Sequence, residues 1–330
     1  MPPPDSARPG ALVISLDVEL HWGVRDLFPL GGPYTAHLVG ARAAIPAMLA
    51  LFARYDVRAT WATVGMLFAE GPADRARFDP ALRPAYADPA LDPYAEPVGA
   101  GEADDPLHYA PSLVDLIRDA PGQELASHTY GHIYALEPGM TEAAFRADAE
   151  SMAAIAQHRG VTPRSVVFPR NQTVLAALPA LADAGVVAYR GTPPSWMYRA
   201  QAFSTEGLPK RAARLLAAYL PVTDLTAGWN DLHVTAGVVN VPETAFLRPL
   251  SGRAELDRLH TRRLVRALDR AATCGRIFHL WWHPHNFGVE TAAHLARLEQ
   301  ILSRFAALRQ RHGMTSETME SAARAVLAAR

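Results

Sequence analysis

The sequence predicts an α/β fold, a closed or nearly closed (β/α) barrel of about seven parallel strands, and three observations lead there. Seven short β-branched or aromatic apolar runs recur along the 330 residues, helical patterns lie between most of them, and no linker divides the chain. Parallel neighbours need a crossover connection, and a helix is the usual one. Residues 11–330 therefore read as a single domain, preceded by a leader over 1–10, "MPPPDSARPG", that is expected to be disordered.

The elements follow in order. "ALVISLDVEL" opens as a buried strand over Leu12 to Leu16 after the Pro/Gly leader. A helix over about 36–54 leads to "RATWATVG" (58–65). The segment from about Ala69 to Pro121, rich in Pro, Ala and Asp, is too long for an ordinary connection. It predicts an insertion over one end of the barrel; such loops often act as lids, and a solvated excursion without a role is an equal alternative. Next come "QELAS" (123–127), a helix over 141–159, "RSVVF" (164–168), a helix over 173–184 and "GVVAY" (185–189). After a second irregular zone between Gly191 and Asn230 stand "GVVNV" (237–241), a helix over 254–273 and "RIFHLWW" (276–282). The clearest helix runs from about Glu290 to Arg311: Leu295, Leu298, Leu302, Phe305 and Leu308 recur every three or four residues, and Gly313 is the stop.

Composition narrows the function. With 49% hydrophobic and 20% charged residues the chain buries a sizeable core without staples. Lys+Arg 32 against Asp+Glu 33 leaves a formal net charge of -1 with no run of like charges, so an electrostatic grip on nucleic acid or an anionic membrane is not indicated. Cys274 is the only cysteine, which excludes an intrachain disulfide and a thiolate-rich zinc or iron–sulfur site. Any metal must be held by His and carboxylate. The first residues lack the apolar core of a signal peptide, and no stretch of 18 apolar residues is expected to span a bilayer, so the cytoplasm is the expected location. Neutral charge leaves the oligomeric state open.

In a parallel barrel, catalytic groups sit on the C-terminal face, where strands end and loops begin. Asp17 and Glu19 close the first strand, and residues two apart on an extended chain point to the same side. His128 follows the third strand, Arg170 and Asn171 the fourth, and His283 with His285 the last. Four strands thus deliver ionisable or metal-binding groups to one rim. In "SHTYGHIY", His128 and His132 can share one face of a helical turn, and a nearby carboxylate completes a His, His, Asp/Glu set with a vacant fourth position, as a catalytic zinc or similar divalent ion requires. Among 13 histidines the spacing alone arises readily by chance; the convergence gives it weight.

In this order, "SLDVEL", "RATWATVG", "ELASHTYGH", "VVFPRN", "VVAYRG" and "HLWWHPH" resemble the polysaccharide deacetylases, carbohydrate esterases sharing the nodulation-factor deacetylase domain. The terminal "HGMTSETMESAARAV" resembles that domain's closing segment, and "LDVELHWG", "FPRNQ" and "HPHNFG" look most like deacetylases of O-antigen or capsule pathways. The resemblance implies a distorted (β/α) barrel and metal-dependent removal of an N-acyl group, usually acetyl, from an amino sugar or glycan precursor. It places Asp17 as catalytic base, His128 and His132 as metal ligands with Glu19 as the third, Arg170 as the arginine that orients and charge-pairs the base, and His283 as general acid. Which of the two carboxylates coordinates, and whether His285 competes with His283, stay open, as does the aspartate that supports His283, for which Asp224 and Asp231 are candidates. Zinc is the first choice of metal, with other first-row divalent ions as alternatives.

His21 and Trp22 can line a sugar subsite, since an aromatic face packs on the apolar face of a sugar, or can simply pack; Asn171, Trp282 and His285 are further candidates for substrate contact. Two other functions fit the same residues. One is a non-catalytic barrel that recognises a glycan through Trp22, Trp281 and Trp282; the other is a related C–N hydrolase acting on a non-sugar amide such as a ureide or cyclic imide.

Overall fold

The computed structural model describes residues 8–202 and 205–329. Most of the expected leader, 1–7, lies outside the described residues. Residues 8–10 are fixed: the Arg8 guanidinium donates to the Ala325 carbonyl at 2.8 Å, and the Trp229 indole donates to the Pro9 carbonyl at 3.1 Å.

Ten strands form one sheet: β1 (Ala11–Val18), β2 (Ala59–Thr63), β3 (Gln123–Ser127), β4 (Ser165–Val166), β5 (Ala188–Tyr189), β6 (Val234–Thr235), β7 (Val238–Asn240), β8 (Ala245–Phe246), β9 (Ile277–Trp282) and β10 (Thr315–Glu317). The helices are α1 (Thr35–Tyr55), α2 (Pro72–Phe78), α3 (Pro111–Asp119), α4 (Glu142–His158), α5 (Leu178–Asp183), α6 (Leu208–Tyr219), α7 (Ala254–Cys274), α8 (Thr291–His312) and α9 (Met319–Leu327). The strand order is β6-β7-β5-β4-β3-β2-β1-β9-β8, with β10 beside β1, and every pairing is parallel except β6 with β7. The sheet curls into a half-barrel with β6 and β8 at its edges. All seven expected strands are present. The extra ones have two or three residues each, too short to leave an apolar run in the sequence.

Burial on both faces explains why the strands read as continuous apolar runs. Along β1, Leu12, Ile14, Leu16 and Val18 face outward into a core shared with Ile45, Met48 and Phe52 of α1 and with Leu298, Ile301 and Phe305 of α8. The alternate residues Ala11 and Val13 face inward with Ala62, Ala126 and Val239, where Met319, Ala322 and Val326 of α9 plug the N-terminal end of the interior. Ser15 and Asp17 continue that inward row at the other end. The top of the interior is polar, and the bottom is mostly apolar apart from the buried Thr60–Glu124 hydrogen bond at the start of α9.

Two expectations change. The 69–121 segment is not one insertion: α3, with Leu113, Val114 and Ile117 buried, is the ordinary crossover into β3, and the excursion ends at Ala110. Proline at the start of α3 conceals it, because the same residue that breaks a strand or loop is well placed in a first helical turn. The second change concerns α1, in which an 18-residue stretch reaches a mean hydropathy of 1.5, long and apolar enough by length and composition to cross a membrane. Here its Leu38, Ile45, Met48 and Phe52 pack into the core.

Candidate active site

The strand ends deliver the polar residues to one place. Glu19, one step beyond β1, sends Oε2 to within 3.0 Å of His132 Nε2 and 3.3 Å of His128 Nε2. All three side chains are buried. Gly23 makes room for this carboxylate: a Cβ there would lie 1.9 Å from the Glu19 Cδ.

The two histidines do not share a helical turn, as the spacing had suggested. They flank a loop in which Thr129 (φ 62°) and His132 (φ 51°) take the left-handed conformation. Such residues cost on the order of 1–3 kcal/mol each and need external support. It comes from Asp148 of α4, whose carboxylate accepts the backbone N–H groups of Tyr130 at 2.7 Å and Gly131 at 2.9 Å. Burial pushes the Asp148 carboxyl up to about 7 against these two donors. The Thr129 hydroxyl, in turn, accepts the Ile133 N–H at 3.1 Å.

Asp17 is gripped by Arg190, not by Arg170. Arg190 Nη1 and Nη2 each donate to one carboxylate oxygen at 2.7 Å. Burial would raise the Asp17 carboxyl, but Arg190 outweighs it and holds the group below the usual aspartate range. The guanidinium also donates to Ser15 Oγ at 3.0 Å and Asn171 Oδ1 at 3.1 Å and lies over the Trp281 ring at 4.3 Å. Because Ser15 accepts from Arg190, its hydroxyl donates to His279 Nε2, 2.8 Å away. Burial drives His279 down to about 3, so it is a neutral acceptor. Arg170 instead pairs with Asp26 and lies over the Tyr134 ring. It still lines the cavity, but the Asp26 pairing turns it away from the base.

His283 stands across the rim, Nε2 3.8 Å from Asp17 Oδ2 and 3.6 Å from Glu19 Oε1. His285 stacks behind it, centroids 4.8 Å apart, and burial lowers it to about 3. His283 is the more open of the two, with 24% of its side chain exposed. Neither Asp224 nor Asp231 supports it: both turn to Arg276.

These groups floor a cavity of about 450 Å³. Its walls include Asn171, Trp281, Phe246 and Tyr198, and, from the second irregular zone, Arg199 and Arg214. The 69–110 excursion contributes nothing to the lining; it buttresses the histidine loop from outside, with the Tyr130 hydroxyl donating to Asp79 at 2.7 Å. Trp22 and Trp282 are fully buried and do not reach the cavity. Trp22 donates to the His108 carbonyl, and Trp282 stacks on Phe287. His21 faces His108 instead.

The sequence analysis passed over Arg190, Ser15, His279, Asp148 and Glu243. Alternation is the signal that finds two of them: on β9, His279 and Trp281 are in step with His283, and on β1 Ser15 is in step with Asp17. Glu243, buried near Arg190, is raised to about 7 by burial despite that charge, and its Oε2 has no hydrogen-bond partner among the described residues.

The residues fit a divalent ion. His128 Nδ1 lies 2.9 Å from the Val167 carbonyl, which can only accept, so in the neutral ring the proton is on Nδ1 and the lone pair on Nε2 faces Glu19. Burial lowers His132 to about 4, so that ring is neutral. Glu19 is an anion: burial opposes this, but the facing histidines bring its carboxyl well below the usual range. Ligand atoms about 2.0–2.1 Å from a tetrahedral ion stand roughly 3.3 Å apart, close to the separations from Glu19 seen here.

Comparison with known proteins gives a partial family match and several likenesses of fold. Residues 36–189, a little under half of the chain, match the family model described as polysaccharide deacetylase. The match holds His128, His132 and Arg170, and it stops before Arg190 and His283. No curated protein matches the chain. Among solved structures, a Mycobacterium smegmatis protein assigned as a polysaccharide deacetylase is similar at 17% identity, with 99% of this chain and 94% of that one covered and a TM-score of 0.61. The Puue allantoinase is similar at 15% identity, covering 98% and 93%, with a TM-score of 0.55. A 4-alpha-glucanotransferase from Thermococcus litoralis is similar at 11% identity, covering 96% and 40%, with a TM-score of 0.51. At these identities the likeness is one of fold.

Proposed function

We propose, from the match of residues 36–189 to the polysaccharide deacetylase family model and from the site geometry, that the protein is a metal-dependent hydrolase that removes an N-acyl group, acetyl in the simplest case, from an amino sugar or glycan precursor. One observation carries the reading: a His, His, Glu donor set stands beside an arginine-gripped aspartate, with a histidine across the same cavity. Glu19, His128 and His132 would hold the ion, zinc first among the first-row candidates. When bound, it supplies Lewis acidity to the acyl oxygen and the attacking water.

The chain's own groups do the rest. Asp17, kept ionised by Arg190, accepts a proton from water at a carboxylate oxygen, while the bidentate grip fixes its direction. His283 Nε2 delivers a proton to the departing nitrogen. Trp281, Phe246 and Tyr198 offer apolar faces to a sugar ring. Arg199 and Arg248 line the cavity without an ion pair among the described residues, which favours a substrate carrying an anionic group such as the phosphate of an activated sugar.

The test is acetate release from N-acetylated amino sugars, free, nucleotide-linked and polymeric. Release should stop with chelator and return with zinc. Asp17→Asn should lose roughly 10²-fold or more in rate with its metal content retained, and His128→Ala should lose that metal equivalent. Wild-type turnover by Asp17→Asn would overturn the role of the base, and glycan binding without any release would favour a non-catalytic barrel.

A further inference from the structure

A second donor cluster lies outside the cavity. His21 Nδ1 stands 2.9 Å from His108 Nε2, and Glu96 Oε1 is 3.3 Å from the first and 3.7 Å from the second. These separations bracket the roughly 3.3 Å expected for ligands around a tetrahedral ion. Both imidazoles are buried, at 1% and 0% exposure, while the Glu96 side chain is 20% exposed and leaves a way in.

Hydrogen bonding on the far side of each ring fixes what the near side presents. His21 Nε2 lies 3.1 Å from the Phe28 carbonyl, which can only accept, so Nε2 carries the hydrogen. His108 Nδ1 lies 2.7 Å from Asp105 Oδ2, and a carboxylate likewise accepts. Each ring therefore commits its outer nitrogen to an acceptor and leaves its inner nitrogen to face the other ring, and the Glu96 carboxylate joins them. Two ring nitrogens and a carboxylate oxygen thus converge on one point, a donor set that suits a divalent ion. The Asp105 to His108 contact is also the outer-shell arrangement that orients metal-binding histidines. Backbone bonds hold the set in place: the Trp22 indole donates to the His108 carbonyl at 3.0 Å, and the His21 N–H donates to the Leu107 carbonyl at 3.2 Å.

We propose that His21, Glu96 and His108 bind a second divalent first-row metal ion, zinc by donor type, that clamps the 69–110 excursion to the turn leaving β1. His21 is two residues beyond Glu19, so the clamp fixes the chain just past the cavity floor. Its role is structural, because no atom of the cluster lines the cavity.

The test is metal content by elemental mass spectrometry on the full chain purified with zinc. The wild type should hold two equivalents, His128→Ala/His132→Ala one, Glu96→Ala one, and the three substitutions together none. Glu96 is partly exposed, so its truncation should leave the fold intact, and circular dichroism checks this. If Glu96→Ala leaves the wild-type content unchanged, or the double histidine variant is folded and holds no zinc, the proposal is wrong. If instead the cavity site fails, the single equivalent present would be lost with Glu96→Ala and kept in the double variant. Limited proteolysis gives a second readout: chelator should expose residues 69–110 to cleavage in the wild type, and zinc should protect them there but not in Glu96→Ala. Equal cleavage with and without zinc in the wild type would also overturn the clamp.

Discussion

Arg190 and Asp17 form a buried pair in which each member depends on the other. Replacing Arg190 by Met leaves Asp17 without its counter-charge, and breaking a buried pair in this way costs about 3–5 kcal/mol. The sign of the pH effect follows. In the wild type the folded-state carboxyl lies below the ordinary aspartate value, so its stabilisation is present above that value and is lost as pH falls through the depressed one. In Arg190→Met, burial is opposed only by the weaker pull of His128 and His283 and raises the carboxyl, so stability is lost as pH rises and the acid limb of the rate profile moves to higher pH. Arg170→Ala, which disturbs Asp26 and Tyr134, should leave that limb in place. Thermal unfolding across pH and a pH–rate profile check both variants.

At the scale of the element, the histidine loop is a strained segment held by a helix. Leu20, Thr129, His132, Arg170 and Asn171 all have positive φ and all lie beside the cavity or its ligands. Asp148→Asn offers one acceptor and one NH2 group to two backbone N–H donors, so one donor loses its partner at a cost of about 1–3 kcal/mol. The loop should then relax, and zinc affinity at the cavity site should fall roughly 10–100-fold, as is usual for a supporting residue. Zinc titration and thermal melts measure the two effects. Unchanged affinity with a lowered melting point would limit Asp148 to folding.

Across the whole molecule the interior is divided. Small apolar residues and α9 close one end, around the hydrogen-bonded Glu124, and at the other end Glu19, His128 and His132 crowd together. A ligand that binds only the folded chain adds about 2.7 kcal/mol at one hundred times its Kd. Chelation should therefore lower the melting temperature by several degrees, and zinc should restore it in calorimetry. An identical melt with and without chelator would mean that neither donor cluster holds an ion.

Much of this protein was determined by its sequence alone. Seven strands and five long helices stood where apolar runs and helical periodicity placed them, because burial on both faces of a strand and on one face of a long helix leaves its pattern in the chain. The gathering of Asp17, Glu19, His128 and His283 was legible for a related reason: each follows a strand, and parallel strands end on one face. Short elements such as α3, α6 and α9 were lost, since nine to twelve residues carry too few periods to stand out. Partnership was decided only in three dimensions. Whether Arg170 or Arg190 meets Asp17, and whether Trp281 or Trp282 faces the cavity, depends on the parity of a strand and on which loop is drawn aside by Asp26, and contacts between residues more than a hundred positions apart settle that.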